Sequence, residues 1–185
     1  MERRMIGNKE KFAIEYCFHN EEHSTELSLF VENKNILAFT MYGKETTTCW
    51  DLDELVKWLR DFIDNMKEDP YPVEICEQYG AIKDDIAREK DFEDDDEFDK
   101  YYDMLDAWCF RHRWHPASAG GILADVYFQQ VGECVELSWN NKYMEDYVEY
   151  KYIIGGVSIP KEEFVNVVIE FINDYADKWF KKTSC

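Results

Sequence analysis

An α+β fold, antiparallel sheet with amphipathic helices packed on one side, follows from three features of this chain. Apolar residues alternate with a period of two near both ends. Each alternating set is followed by one long stretch whose apolar residues recur at intervals of three and four. Short runs rich in Asn, Gly and Lys separate the alternating segments as hairpin turns do.

Phe12, Ile14, Tyr16 and Phe18 alternate as a strand with one buried face, and Leu27, Leu29 and Val31 follow as a second. Asn33-Lys34-Asn35 supplies residues that tolerate positive φ. Ile36 to Tyr42 reads as a more fully apolar strand, and the meander extends through Thr46 to Trp50. Asp51 stands at an N-cap position with Glu54 three residues on, the reciprocal pair that satisfies the free amides of a first turn. Leu52, Leu55, Val56, Leu59, Phe62, Ile63 and Met66 share one helical face, which is expected to lie across the meander, and Pro70 and Pro72 end the helix.

Ile75, Tyr79, Ile82 and Ile86 indicate a second helix. A third carries Phe98, Tyr101, Tyr102, Leu105 and Trp108 as its apolar stripe, with Asp95, Asp96, Asp99, Asp103 and Asp106 around the rest. After Ala119-Gly120-Gly121, strands return at Val126 to Gln130 and Val135 to Trp139, joined by a hairpin turn at Val131-Gly132-Glu133. Tyr147 to Ile154 alternates through Val148, Tyr150 and Tyr152 and stops at Gly155-Gly156. Pro160 takes a first helical position, ahead of Phe164, Val167, Val168, Phe171, Ile172, Tyr175 and Trp179. The expectation is one domain over 1–185, in which 12–68 and 123–181 form two related meander-plus-helix halves bridged by the acidic helical segment 75–115.

Charge narrows function more than pattern does. Forty acidic against twenty-one basic side chains give a formal charge of -19, and the acids concentrate where Asp91 to Asp99 reads DFEDDDEFD. Such a surface repels nucleic acid and anionic lipid and attracts proteins built to hold phosphates. Six scattered cysteines with no CxxC pair read as reduced, mostly buried thiols of a cytoplasmic protein. The polar segment Met1 to Lys11 has no signal-peptide core, and no apolar run approaches the ~20 residues that cross a bilayer.

The sequence supplies little for catalysis. It has no GxSxG elbow, P-loop or GxGxxG, Ser118 and Ser138 have no visible activating partner, and the expectation is a non-enzyme without cofactor. Cys109, His112 and His115 stand at three-residue spacing as candidate zinc ligands, but a fourth is lacking and Pro116 ends the helix. They read instead as core and helix-end residues, where Arg111, His112, Arg113 and His115 meet the negative end of the dipole. His19 and His23 straddle a strand end rather than a helical face. The acidic run lacks the glycine and ligand spacing of a calcium loop. Trp58 sits beside the Leu55–Leu59 stripe, at the edge of the core.

Ile6-Gly7-Asn8-Lys9-Glu10-Lys11-Phe12-Ala13-Ile14-Glu15-Tyr16 resembles the opening of bacterial immunity proteins, small acidic antidotes found beside polymorphic toxins. A second set, Trp108, Arg111-His112, Ala119-Gly120-Gly121, Val126-Tyr127-Phe128, Val131-Gly132 and Val135-Glu136-Leu137-Ser138-Trp139, resembles a bacterial module found near IrrE-like metallopeptidase domains in mobile and defence loci. The peptidase motif HExxH is absent, so peptidase activity does not carry over. Both resemblances imply a bacterial or phage conflict system.

The resulting expectation is an acidic protein that binds a basic nuclease or other nucleic-acid-handling effector as an inhibitor, immunity protein or partial DNA mimic, a CRISPR effector included. It contacts neither nucleic acid nor membrane itself. The expected contact residues are Asp91, Glu93, Asp94, Asp95, Asp96, Glu97, Asp99, Tyr101, Tyr102, Asp103 and Asp106. The competing reading is an accessory or adaptor subunit that homodimerises through an aromatic patch or a sheet edge, its acids serving only solubility.

Overall fold

The computed structural model describes residues 3–18, 25–114, 124–142 and 146–183, without the side chains of 50 and 178–183. His19, His23, His115, Pro116, Ser118, Ala119-Gly120-Gly121 and Cys185 lie outside the described residues. The fold is α+β, with three antiparallel sheets and four helices among the described residues.

The first sheet runs β1 (Arg3–Asn8), β2 (Phe12–Phe18), β3 (Thr25–Val31), β4 (Lys34–Asn35), with β7 (Thr48–Trp50) also on β3. The alternation from Phe12 is realised, and the turn after β3 is centred on Glu32 and Asn33, both at positive φ. The run Ile36 to Tyr42 is not one strand. Asn35 Oδ1 accepts from the amides of Leu29 and Leu37, both at 3.2 Å, and bends the chain, so Ile36 and Leu37 are buried in a turn. Only β5 (Phe39–Met41) remains extended, pairing with β6 (Lys44–Thr46) and with β10 (Val148–Tyr150) as a second sheet.

Helix α1 (Asp53–Asp64) starts one residue later than expected. Leu52 takes the N-cap position, Asp51 Oδ1 instead accepts from the amide of Asp53 at 3.0 Å, and no capping box forms. The helix ends at Asn65, whose Nδ2 donates to Asp61 O at 2.8 Å, so the prolines do not terminate it. Helix α2 (Gly80–Ala87) also departs from its expected stripe. Ile86 is exposed and Asp84 and Asp85 face inward, where Asp84 meets three buried donors, Tyr71, Tyr127 and Cys109, and the half-buried Arg88. Helix α3 (Asp95–His112) buries Leu105, Trp108, Cys109 and His112 and leaves Phe98 exposed.

The third sheet has the order β11-β9-β8, from β8 (Val126–Val131), β9 (Cys134–Asn140) and β11 (Ile154–Pro160). The segment read as one strand ending at Gly155-Gly156 is therefore two. The glycines lie inside β11, because a Cβ on Gly155 would stand 2.5 Å from the Trp139 indole and one on Gly156 would strike the Tyr79 ring. Pro160 closes that strand rather than opening helix α4 (Lys161–Thr183).

Period-two alternation gives the third sheet two buried faces. Val126, Phe128, Val135, Leu137 and Trp139 join the main core with α1 and α4, whereas Tyr127 joins Tyr71, Ala81, Leu105 and Trp108 beneath α2 and α3. Helix α4, rather than α1, lies on the first sheet: Phe164 stacks on Phe12 at 5.3 Å and reaches Phe128 at 5.7 Å, and Phe171 meets Tyr16 edge-on. Burying a ring such as Phe164 completely is worth roughly 2–3 kcal/mol. The main core thus draws on both ends of the chain.

Candidate functional site

Helix α3 begins where Asp94 caps it, accepting from the amide of Glu97 at 2.9 Å. Asp95, Asp96 and Glu97 occupy its first turn, where negative charge offsets the positive end of the dipole. Asp106 accepts from Arg88 Nη2 at 2.7 Å. These five acids have work inside the fold. Asp91 and Glu93 in the entry loop, and Asp99 and Asp103 on the helix, are exposed and meet no cation among the described residues.

At 100° per residue, Asp96, Asp99, Asp103 and Phe110 fall on one outward stripe, opposite Leu105, Trp108, Cys109 and His112. Nine carboxylates against the single Lys100 stand between Asp91 and Asp106. Six of them lie on the helix, all between Asp95 and Asp106, about one charge per 3 Å of axis over that stretch, close to the ~3.4 Å per charge of one nucleic-acid strand.

Tyr101 and Tyr102 are placed less openly. Their hydroxyls donate to Ala87 O at 3.1 Å and Arg88 O at 3.0 Å, satisfying carbonyls at the end of α2. Their rings cluster with Phe92 and Phe98, and Lys90 sits over Phe92 and Tyr101. They fix the acidic helix to α2 and present only part of each ring to solvent.

Beneath the helix lies a polar network that the sequence did not reveal. Asp84, 4% exposed, accepts from Tyr71 Oη at 3.1 Å, Tyr127 Oη at 3.0 Å, Arg88 Nε at 3.0 Å and Cys109 Sγ at 3.2 Å. Burial works against the charge of Arg88, but its bonds to Asp84 and Asp106 outweigh that and raise its pKa. Burial and then the neighbouring Asp84 push the Cys109 thiol up to about 12, the reverse of an activated nucleophile.

His112 is engaged on both ring nitrogens, Nδ1 with Phe128 O at 2.8 Å and Nε2 with Asp69 Oδ2 at 3.0 Å. Asp69 also takes Arg111 Nε at 2.8 Å, and its main-chain oxygen accepts from Trp108 and Gln129. Burial opposes ionisation of Asp69, yet the bonds from Arg111 and His112 prevail and lower its pKa. The candidate ligands Cys109 and His112 are thus spent on other partners. Among the described residues, no three His, Cys, Asp or Glu side chains converge as metal ligands do.

At the far end of the acidic stripe Phe110 is 69% exposed. It borders a cleft of about 440 Å³ that Trp58, Phe62, Met66, Asp69 and His112 also line. Trp58 is half-buried there, stacked on Phe62. Sequence reading missed Phe110, although its place off the Leu105–Trp108–His112 stripe was the available signal. Among the described residues, no helix is long and apolar enough to cross a membrane. Comparison with protein-family models, with curated proteins and with solved structures gave no match.

Proposed function

We propose that this protein binds a basic nucleic-acid-handling protein, a nuclease or related effector, and that Asp91 to Asp106 occupies the groove built for phosphates. The observation that carries the reading is the set Asp91, Glu93, Asp99 and Asp103, exposed acids with no cation beside them among the described residues. Like charges at Asp95–Asp99 and Asp99–Asp103, each four apart on a helix, work against the fold. A function outside the fold accounts for their presence. Binding would be non-catalytic, steered by charge and weakened by salt, with Lys and Arg of the partner pairing with carboxylates. The setting would be the cytoplasm of a bacterium in a toxin or phage conflict, as the two resembling stretches imply.

The test is affinity capture from the native host, wild type beside a variant carrying Asp91→Asn, Glu93→Gln, Asp99→Asn and Asp103→Asn. None of these four supports the fold, so the variant keeps its structure. Loss of a basic, nucleic-acid-binding protein from the variant's captured set is the expected result; an identical set in both arms refutes the reading.

A further inference from the structure

The third sheet has two edges, and they are treated differently. On β8 the main-chain groups that point away from β9 belong to Val126, Phe128 and Gln130. Val126 O accepts from the amide of Trp114 at 3.1 Å, Phe128 O accepts from His112 Nδ1, and Gln130 bridges to Glu68. That edge is closed. On β11 the amide of Asn141 donates to Ile153 O at 2.7 Å and that of Lys161 to Glu133 O at 2.9 Å, so the odd-numbered residues bond to β9. The amides and carbonyls of Ile154, Gly156 and Ser158 therefore point outward, and among the described residues no strand pairs with them.

Exposed edges are ordinarily guarded by charge, and β1 follows the rule with Arg3 and Arg4. The β11 strand itself does not, although Glu32, Lys34 and Lys151 line the groove beside it. Tyr152 to Pro160 contains no charged residue in a chain that is 33% charged. Ile153 is 54% exposed and Ile154 38%, beside a groove of about 430 Å³ between β11 and the β3–β4 turn. With one acid, Glu32, against Lys34 and Lys151, the groove has no excess of negative charge to draw a basic partner, whereas an antiparallel strand pair is complementary to itself about a two-fold axis.

We infer that β11 pairs with β11 of a second copy of this chain, antiparallel and centred near Gly156, joining two third sheets into one six-stranded sheet. The dimer leaves α3 free and is independent of what α3 binds. With -19 on each copy, repulsion opposes assembly, so added salt strengthens it, the opposite of charge-driven binding.

Sedimentation across micromolar to submillimolar protein, at low and moderate salt, tests this with the whole chain. A species of twice 22.2 kDa, favoured by salt, is expected. Ile154→Lys, which charges the edge, and Ser158→Pro, which removes an outward amide while sparing the bonds to β9, should each weaken association at least tenfold with little change in melting temperature. Hydrogen exchange at Ile154, Gly156 and Ser158 should slow with concentration while that at Val157 stays constant. A monomer throughout, a dimer weakened by salt, or a dimer untouched by both substitutions overturns the inference.

Discussion

His112 donates its Nδ1 hydrogen to the main-chain oxygen of Phe128, 2.8 Å away, and so closes an outward carbonyl on the edge of β8. A residue that sequence spacing offered as a zinc ligand is a side-chain seal on a sheet. Its other nitrogen holds Asp69, and its ring stacks on Trp108 at 4.4 Å.

His112→Ala leaves that carbonyl and one bond to Asp69 unsatisfied and opens a cavity beside Trp108. The expected loss is about 2–4 kcal/mol, read from urea denaturation. Treatment with a chelator should leave the wild-type melting temperature unchanged; a fall would restore the metal reading.

Removing the unpaired acids of α3 should stabilise the fold. Asp99→Asn with Asp103→Asn relieves repulsion at four-residue spacing, so the melting temperature rises, more at low salt than at high. A drop would mean that these acids serve the structure rather than a partner.

Gly155→Ala and Gly156→Ala should each cost about 1–3 kcal/mol, because the added methyl meets the Trp139 and Tyr79 rings in packed surroundings. Thermal melts measure this directly. Gly132→Ala, with nothing within 4 Å of the added methyl, should show only the smaller penalty of its positive φ.

Thiol labelling at pH 8, in a Cys185→Ser background, should modify the exposed Cys49 and Cys76 first and leave Cys109 untouched until unfolding. With a pKa near 12, only about one Cys109 in 10⁴ is thiolate at that pH, and burial blocks the reagent as well. Rapid native labelling of Cys109 would contradict the network drawn around Asp84. The expectation of mostly buried thiols is itself corrected, since of the five described cysteines only Cys17 and Cys109 are buried.

What the sequence made legible was periodic. Phe12 to Phe18, the Val126–Trp139 hairpin and the Phe164–Tyr175 face all announced themselves, because each buries one side of a regular element. β1 escaped because only Ile6 of its six residues is buried. β11 escaped because its glycines imitate a turn, when their role is to admit two aromatic rings. Asp84 escaped because a buried acid on a helix is recognisable only once Tyr71, Tyr127 and Cys109 arrive from elsewhere in the chain. The acidic stripe was readable as composition, but which acids the fold itself employs needed the positions of Arg88 and the α3 cap.

If acids on α3 stand in for phosphates, this protein and nucleic acid exclude each other on the partner, which is measured by adding this protein to its captured partner bound to labelled DNA or RNA and following fluorescence anisotropy. Stoichiometric release of the nucleic acid, weakened by salt and lost in the Asp91, Glu93, Asp99 and Asp103 variant, is the predicted result. A stable ternary complex, with the nucleic acid still in place, would contradict it.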